Sequence, residues 1–351
     1  MKILIVGQYR DWAIERHFVR YMSKLADVEM YAAEDVFDDW YRKTIFNKIS
    51  HRIGLSSIQQ KIAKELLEKA EAVRPDIIWV FKGMRLIPEL LKKLKEKGFK
   101  LANYNPDHPF EYATRGSGNE NVRNSIGLYD LHFCYSNAVA ERIENEFGIK
   151  TKILPFGYEI KDELFHEIKN TPEIIKACFI GNPDPIRADH LRALAESGIE
   201  MDVYGHSWEK YLSADSRLRV FDATYKKDFW IKMRAYRLQI NIFRPHNIGS
   251  HNMRTFEIPA IGGIMLAPDS PQHRAYFNAG KEAFFYQSKK ELIAQAKHVL
   301  SLSKEAATTI REKARRRSVE GEYNYAGRAK LVVSTFSNLL NENRLQPELL
   351  R

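Results

Sequence analysis

Apolar positions along this chain follow two alternating rhythms. KILIVG, VEMYA, DIIWVF, KLANYN, LHFCYS and TKILPFG are short apolar runs rich in β-branched and aromatic residues, and they read as strands of the first half. Between them apolar residues recur at three and four positions, in IQQKIAKELLEKAEAV and IPELLKKLKEKG. AVAERIENEFG is a further helix, which Ser136 or Asn137 can cap and Gly148 ends. The pattern restarts at KACFIGN and continues through EMDVYG, LRVF, LQINIF, GIMLAP and EAFFYQ, with helical stretches such as RADHLRALAESG and KKELIAQAKHVLSLS between them. Strand and helix in alternation predict βαβ units, so the fold class is α/β with two open parallel sheets.

At 351 residues the chain has room for two such domains. The charged stretch from Glu159 to Glu173, ending in Asn170, Thr171 and Pro172, reads as the link. The expected divisions are a Rossmann-like domain over 1–165, a second over 166–325, and a C-terminal helix over 326–351.

Open parallel sheets bind ligands beyond the carboxyl ends of their strands, and two facing sheets would enclose a cleft. Residues just after strands are therefore the candidates. LQINIF runs into RPHNIGSHN and then a helix, whose first turn offers backbone N–H groups and a positive dipole end to a phosphate. Asn247, Gly249, Ser250, His251 and Asn252 lie in that loop. Ser250 or Asn252 can cap the helix, Gly249 permits close backbone approach, and Arg254 adds a charged donor. Glu257 follows three residues later, where its carboxylate can accept from the two hydroxyls of a ribose or simply pair with Arg254 on the surface. Pro259 predicts a short or bent helix.

GNPDPIRADH, after KACFI, offers Gly181, Asn182 and Arg187 to a phosphate, or is an ordinary βα turn with two prolines. Gly205 and His206 follow another strand, where they can flank a base or the bound sugar, although a lone histidine is more often a surface residue. In the first half Asp107 and His108 follow KLANYN between two prolines, placed to orient a hydroxyl or take its proton, or to form an Asx-type turn. Gly7, Gln8 and Tyr9 make the first βα turn. DDWYRKTIFNKISHRIG mixes basic residues with Trp40 and Phe46; it can rest on an anionic membrane, or bury its apolar face in the domain beneath solvated lysines.

Composition narrows the choice. The net charge of +10 favours anionic partners, yet no zinc-finger or RNP-like pattern accompanies it, so nucleic acid is not expected. Cys134 and Cys178 both sit in strand-like runs, which argues against a disulfide framework and a cysteine zinc site. No segment approaches the roughly 18 apolar residues of a membrane span, and MKILIVG is too short for an export signal, so a cytoplasmic location is expected, with peripheral contact at the inner membrane face left open. A nicotinamide dehydrogenase would need a glycine fingerprint after KILIVG or KACFIGN, and neither has one.

RTFEIPAIGG, taken with NYNPDHPF, CFIGN, YGHSW and the tail YNYAGRAKLVV, resembles the CgeB-like glycosyltransferases, within the broader group of GT-B enzymes. The likeness runs in order along nearly the whole chain, and the R-T-F-E block before GG is its most specific piece. It implies that the second domain holds a nucleoside-diphosphate sugar, UDP- or GDP-linked, and that the first presents a saccharide, lipid-linked or protein acceptor. It also implies a last helix that crosses back to the first domain, Glu257 on the donor ribose and Arg254 near the diphosphate. No metal or cofactor is expected, and synthesis of a surface polysaccharide or glycoconjugate is the implied setting. Many retaining relatives carry a second glutamate eight residues before the ribose-binding one, and here that position is Gly249. A sugar-nucleotide epimerase and a nucleotide-sugar-binding protein without turnover remain alternatives.

Overall fold

The computed structural model describes residues 1–112, 117–213, 217–244 and 249–345. The chain divides into two compact units, one formed by Met1–Pro155 with Tyr325–Arg351, the other by Phe156–Asn324.

Unit 1 holds β1 (Lys2–Val6), β2 (Asp27–Tyr31), β3 (Ile77–Phe81), β4 (Lys100–Asn105), β5 (Leu131–Cys134) and β6 (Lys150–Ile153), the runs read from the sequence. They form one sheet in the order β2-β1-β3-β4-β5-β6, every pair parallel. Alternation along each strand sends side chains to opposite faces. Ile3, Ile5, Ile77 and Trp79 enter one apolar layer, and Leu4, Val6, Ile78 and Val80 enter the other. Both faces are covered, which is why β3 is apolar throughout.

One of those layers is closed by the C-terminal helix Tyr325–Leu345, which contributes Tyr325, Ala329, Val332, Phe336 and Leu339 to it. Their spacing is that of a single helical stripe. Phe336 meets Trp79 and Phe133 edge-on, at ring separations of 5.7 and 5.5 Å. The last helix is thus a structural layer of unit 1.

Unit 2 holds β7 (Ile174–Ile180), β8 (Met201–Tyr204), β9 (Leu218–Phe221), β10 (Tyr236–Ile240), β11 (Met265–Pro268) and β12 (Phe284–Tyr286). Its parallel sheet has the order β12-β11-β10-β7-β8-β9. Glu173 accepts from Arg237 Nε at 2.8 Å and from Arg311 Nη2 at 2.9 Å, and Arg311 also donates to the carbonyls of Arg234, Gly262 and Tyr236. This network fastens the helix Lys304–Glu320 beneath β10.

The charged stretch 159–173 is not a free link. It contains the helix Asp162–Ile168, which stays with unit 2 because Phe165 lies 3.9 Å from the Arg315 guanidinium and Glu167 pairs with Lys227. The first division therefore falls at Pro155 rather than after 165. The segment DDWYRKTIFNKISHRIG is also interrupted: Thr44 is extended, with φ −144° and ψ 158°, and separates the helices Ala33–Lys43 and Ile45–Arg52.

Candidate functional site

In unit 2 the chain leaves β7 toward β8 and β9 on one side, and later returns to β10, β11 and β12 on the other. The turns after β7 and β10 therefore diverge, and the crevice between them is the position where open α/β sheets receive ligands. Gly181, Asn182 and Arg187 follow β7, and the segment 249–257 follows β10.

Asn252 is the cap of the helix Met253–Ala260: its side chain accepts from the Thr255 N–H, and the Thr255 hydroxyl accepts from the Asn252 N–H at 3.2 Å. Asn241, just past β10, exchanges amide hydrogen bonds with Asn252 at 2.7 and 3.1 Å, so the cap is fixed to the strand end. The Thr255 hydroxyl also meets His273 Nε2 at 2.8 Å, and burial pushes the His273 imidazole down to about 4. The helix start is thus held by neutral, buried partners.

Arg254 spans the crevice. Its Nε donates to the carbonyl of Ile180, the last residue of β7, at 3.2 Å, and its Nη1 pairs with Glu257 Oε2. The guanidinium also lies 4.6 Å from the centre of the Phe229 ring. Glu257 is buried and Arg254 half-buried, so this is a partly desolvated pair at a strand end and not the fully solvated surface pair that spacing alone allows. Pro259 is accommodated by a helix that ends at Ala260; Gly262, at φ +71°, turns the chain, and a Cβ on Gly263 would stand 2.8 Å from Ile258 Cγ2.

Other candidates in this loop have structural duties. His251 is fully buried: its Nε2 accepts from the Phe156 N–H at 3.2 Å, and its Nδ1 lies 3.1 Å from Gln272 Oε1. Ser250 donates to the same Gln272 oxygen at 2.5 Å, so it is a brace and not the cap. Gly249 is exposed with φ +79°, the conformation that favours glycine. Asn247 lies outside the described residues.

Arg187 also departs from the phosphate-binding expectation. Its Nε and Nη2 both donate to the Ile242 carbonyl at 3.2 Å, and its Nη1 donates to the Asn182 carbonyl at 2.9 Å. Burial pushes it down to about 10, and it rivets the β7 turn to the chain beyond β10. The Asn182 side chain is exposed beside it. The Gly181 carbonyl accepts from Trp208 Nε1 at 2.8 Å, and Gly205 lies hard against that carbonyl. His206 is exposed and lies 2.7 Å from the Tyr225 hydroxyl.

In unit 1 Asp107 pairs with Lys82 Nζ at 2.6 Å. His108 Nδ1 accepts from the N–H groups of Phe110 and Glu111, at 3.3 and 3.0 Å, and so shapes the turn after β4. Two groups at this end of the sheet were missed in the sequence. Lys82 follows β3 directly, at φ +56°. Glu15 is buried on the inner stripe of the helix Ile14–Met22 with Phe18 and Met22, and its Oε1 accepts from the Gln8 N–H in the first βα turn at 3.0 Å. A glutamate at helical spacing from Phe18 and Met22 was the available signal. Burial lifts its carboxyl to about 7, against the pull of the Gln8 N–H and Lys82. A carboxyl near 7 can take or give a proton at neutral pH. Tyr9 is exposed at the same turn, and a Cβ on Gly7 would stand 2.7 Å from Glu15 Oε1.

Among the described residues no group of three or more His, Cys, Asp or Glu side chains gathers as metal ligands. Burial pushes both Cys134 and Cys178 above the usual thiol range, and both are free.

The family model described as Glycosyl transferase-like matches residues 187–334. No curated protein matches the sequence. Among solved structures, Anabaena Alr3699/HepE in complex with UDP-glucose superposes with a TM-score of 0.64 at 13% identity, over 96% of this chain and 100% of that one. Sucrose-phosphate synthase from Thermosynechococcus elongatus gives 0.67 at 10% identity, over 97% and 100%. A glycosyltransferase from Rickettsia africae gives 0.64 at 14%, over 97% and 98%.

The fold is GT-B. Two Rossmann-like units of six parallel strands each are the GT-B architecture, and the matched segment spans the Arg187 turn, the Arg254–Glu257 pair and the start of the last helix.

Proposed function

We propose that this chain is a glycosyltransferase of the CgeB-like group that moves a sugar from a nucleoside-diphosphate sugar to a hydroxyl acceptor. The Arg254–Glu257 pair, set at the switch point of the unit 2 sheet beside a capped helix N-terminus, carries the reading. Here the helix start and Arg254 meet the diphosphate, whose charge grows as the glycosidic bond breaks. Glu257 accepts from the ribose hydroxyls while Arg254 holds its carboxylate in place. Asn182 and His206 line the mouth of this site.

Unit 1 takes the acceptor. Glu15 or Asp107 receives the hydroxyl proton, and Lys82 orients Asp107. The reaction needs no metal, because the leaving diphosphate is met by backbone N–H groups and a guanidinium. UDP-glucose and UDP occupy the related HepE structures, which supports a UDP-linked donor, with GDP the second candidate. The setting is synthesis of a surface polysaccharide or glycoconjugate on the cytoplasmic side of the membrane.

Calorimetry with UDP, GDP and UDP-glucose tests the donor site, and product analysis with and without a saccharide acceptor tests transfer. A dissociation constant in the micromolar range for one nucleotide, weakened about 5- to 160-fold in Glu257→Ala, is the expected result. Unchanged binding in that variant overturns the site, and an altered sugar nucleotide formed without acceptor overturns transfer in favour of epimerisation. Full, Mg²⁺-reversible loss of turnover in EDTA overturns the metal-free mechanism.

A further inference from the structure

The helix Ile45–Arg52 in unit 1 packs the wrong way round for a water-soluble helix. Its contacts to the unit come from its polar side: Asn47 Nδ2 donates to the Trp40 carbonyl at 2.6 Å, and the His51 ring lies 5.0 Å from Phe37 and 5.7 Å from Tyr41. Its apolar side faces outward. Ile45 is 77% exposed, Phe46 72%, Ile49 52%, and just beyond the helix Ile53 is 62% and Leu55 78%. At 100° per residue Ile45, Ile49, Ile53 and Phe46 share one sector, with Arg52 and Lys48 along its edge. No residue of this helix is buried, so the exposed stripe is not a frayed edge of the core. A contiguous apolar face of this kind marks a binding surface.

Charge selects the occupant. From Trp40 to Lys64 the chain contains no aspartate or glutamate; Arg42, Lys61 and Lys64 pair with Asp38, Glu65 and Glu68 outside that stretch, while Lys43, Lys48 and Arg52 are exposed beside the apolar stripe. A second copy seated here through two-fold symmetry would set this positive surface against itself. An anionic bilayer meets both features, taking the apolar side chains below its headgroups and the cations at their level.

We infer that unit 1 docks on anionic membranes through the face of Ile45, Phe46, Ile49, Ile53 and Leu55, ringed by Lys43, Lys48 and Arg52. The helix lies in the plane of the interface and does not span it; among the described residues no helix is long and apolar enough to cross a membrane. The docking stands apart from sugar transfer, because vesicle binding reads this face and nucleotide calorimetry reads unit 2.

The test is flotation of the full chain with vesicles of phosphatidylcholine alone and of phosphatidylcholine mixed with phosphatidylglycerol. The protein floats with the mixed vesicles and stays behind with the neutral ones. Lys48→Ser and Arg52→Ser each weaken partitioning about fivefold, the contribution of one basic residue near an anionic surface. Raising the salt from about 0.15 M to about 1 M cuts the Debye length from about 8 Å to about 3 Å and weakens binding further. Phe46→Ser with Ile49→Ser abolishes flotation, and Ile53→Ser with Leu55→Ser repeats the loss from the following turn. These positions are exposed, so each variant keeps its melting temperature. Absence of wild-type flotation, or flotation indifferent to all these changes, overturns the inference. So does a concentration-dependent dimer in analytical ultracentrifugation that Phe46→Ser dissolves.

Discussion

Gly205 packs so closely against Gly181 that a Cβ on Gly205 would stand 2.2 Å from the Gly181 carbonyl oxygen and 2.6 Å from Trp208 Nε1. The ends of β7 and β8 are therefore joined at a contact that only glycine allows. Gly205→Ala must push the β7 turn outward or break the Trp208–Gly181 hydrogen bond. Overpacking of this kind costs about 1–3 kcal/mol. Chemical denaturation will show lower stability, and calorimetry will show weakened nucleotide binding, because the displaced turn borders the proposed donor site. A variant with wild-type stability would mean that the turn yields freely.

Glu257→Ala removes the group assigned to the ribose and leaves the half-buried Arg254 without its carboxylate partner. The expected loss in nucleotide affinity is about 1–3 kcal/mol, the scale of hydrogen bonds to a charged group. Arg254→Ala should also weaken binding, and the double variant should lose less than the sum, since the two side chains act as a unit. Strict additivity in the calorimetric cycle would separate their roles and refute that arrangement.

The runs of β1, β3 and β4 were legible because those strands are buried on both faces, and burial imposes apolar composition that a single chain displays. Gly148 ends its helix at φ +63°, a local constraint equally visible in sequence. Arg254 and Glu257 were legible as a pair for the same local reason, one helical turn. What was not legible depends on partners distant in the chain. Arg187 was open between a phosphate ligand and part of an ordinary βα turn, and its bonds to the Ile242 carbonyl, 55 residues away, were not visible locally. His251 was a candidate of the polar loop, and its bonds to Phe156 and Gln272 are what bury it. The stripe Ile45, Phe46, Ile49 was readable as amphipathic, but which side met the unit was decided by Asn47 and His51.

Phe336 lies in the last helix yet fills the unit 1 core between Trp79 and Phe133. Phe336→Ala should destabilise the protein by about 3–5 kcal/mol, the range for deleting a buried aromatic ring. Denaturant titration followed by tryptophan fluorescence will report it, since Trp79 is the ring's neighbour. A loss below about 1 kcal/mol would mean that the helix is not part of that core.

Glu15 makes stability depend on pH. Its folded carboxyl is raised to about 7 by burial, above the unfolded range. The folded state therefore binds the proton more tightly, and the associated stability is present below about pH 4.5 and lost as pH rises through about 7. Glu15→Gln keeps an acceptor for the Gln8 N–H without the buried charge. It should melt higher than the wild type at pH 8, with the gap closing at pH 5. The opposite ordering at pH 8 would show the carboxylate to be well compensated in its ionised form.

Asp107 and His108 are neighbours with different expected fates. Asp107 carries a carboxylate paired with Lys82 at the end of the sheet, so Asp107→Asn should lower turnover by about 100-fold if it receives the acceptor proton, with donor affinity unchanged. His108 spends Nδ1 on two backbone N–H groups, and His108→Ala should instead cost about 1 kcal/mol of stability. If Asp107→Asn retains full turnover while Glu15→Gln loses it, Glu15 is the proton acceptor and the Lys82–Asp107 pair only shapes the turn. If both variants transfer sugar at the wild-type rate, unit 1 does not supply the base, and the acceptor assignment fails with it.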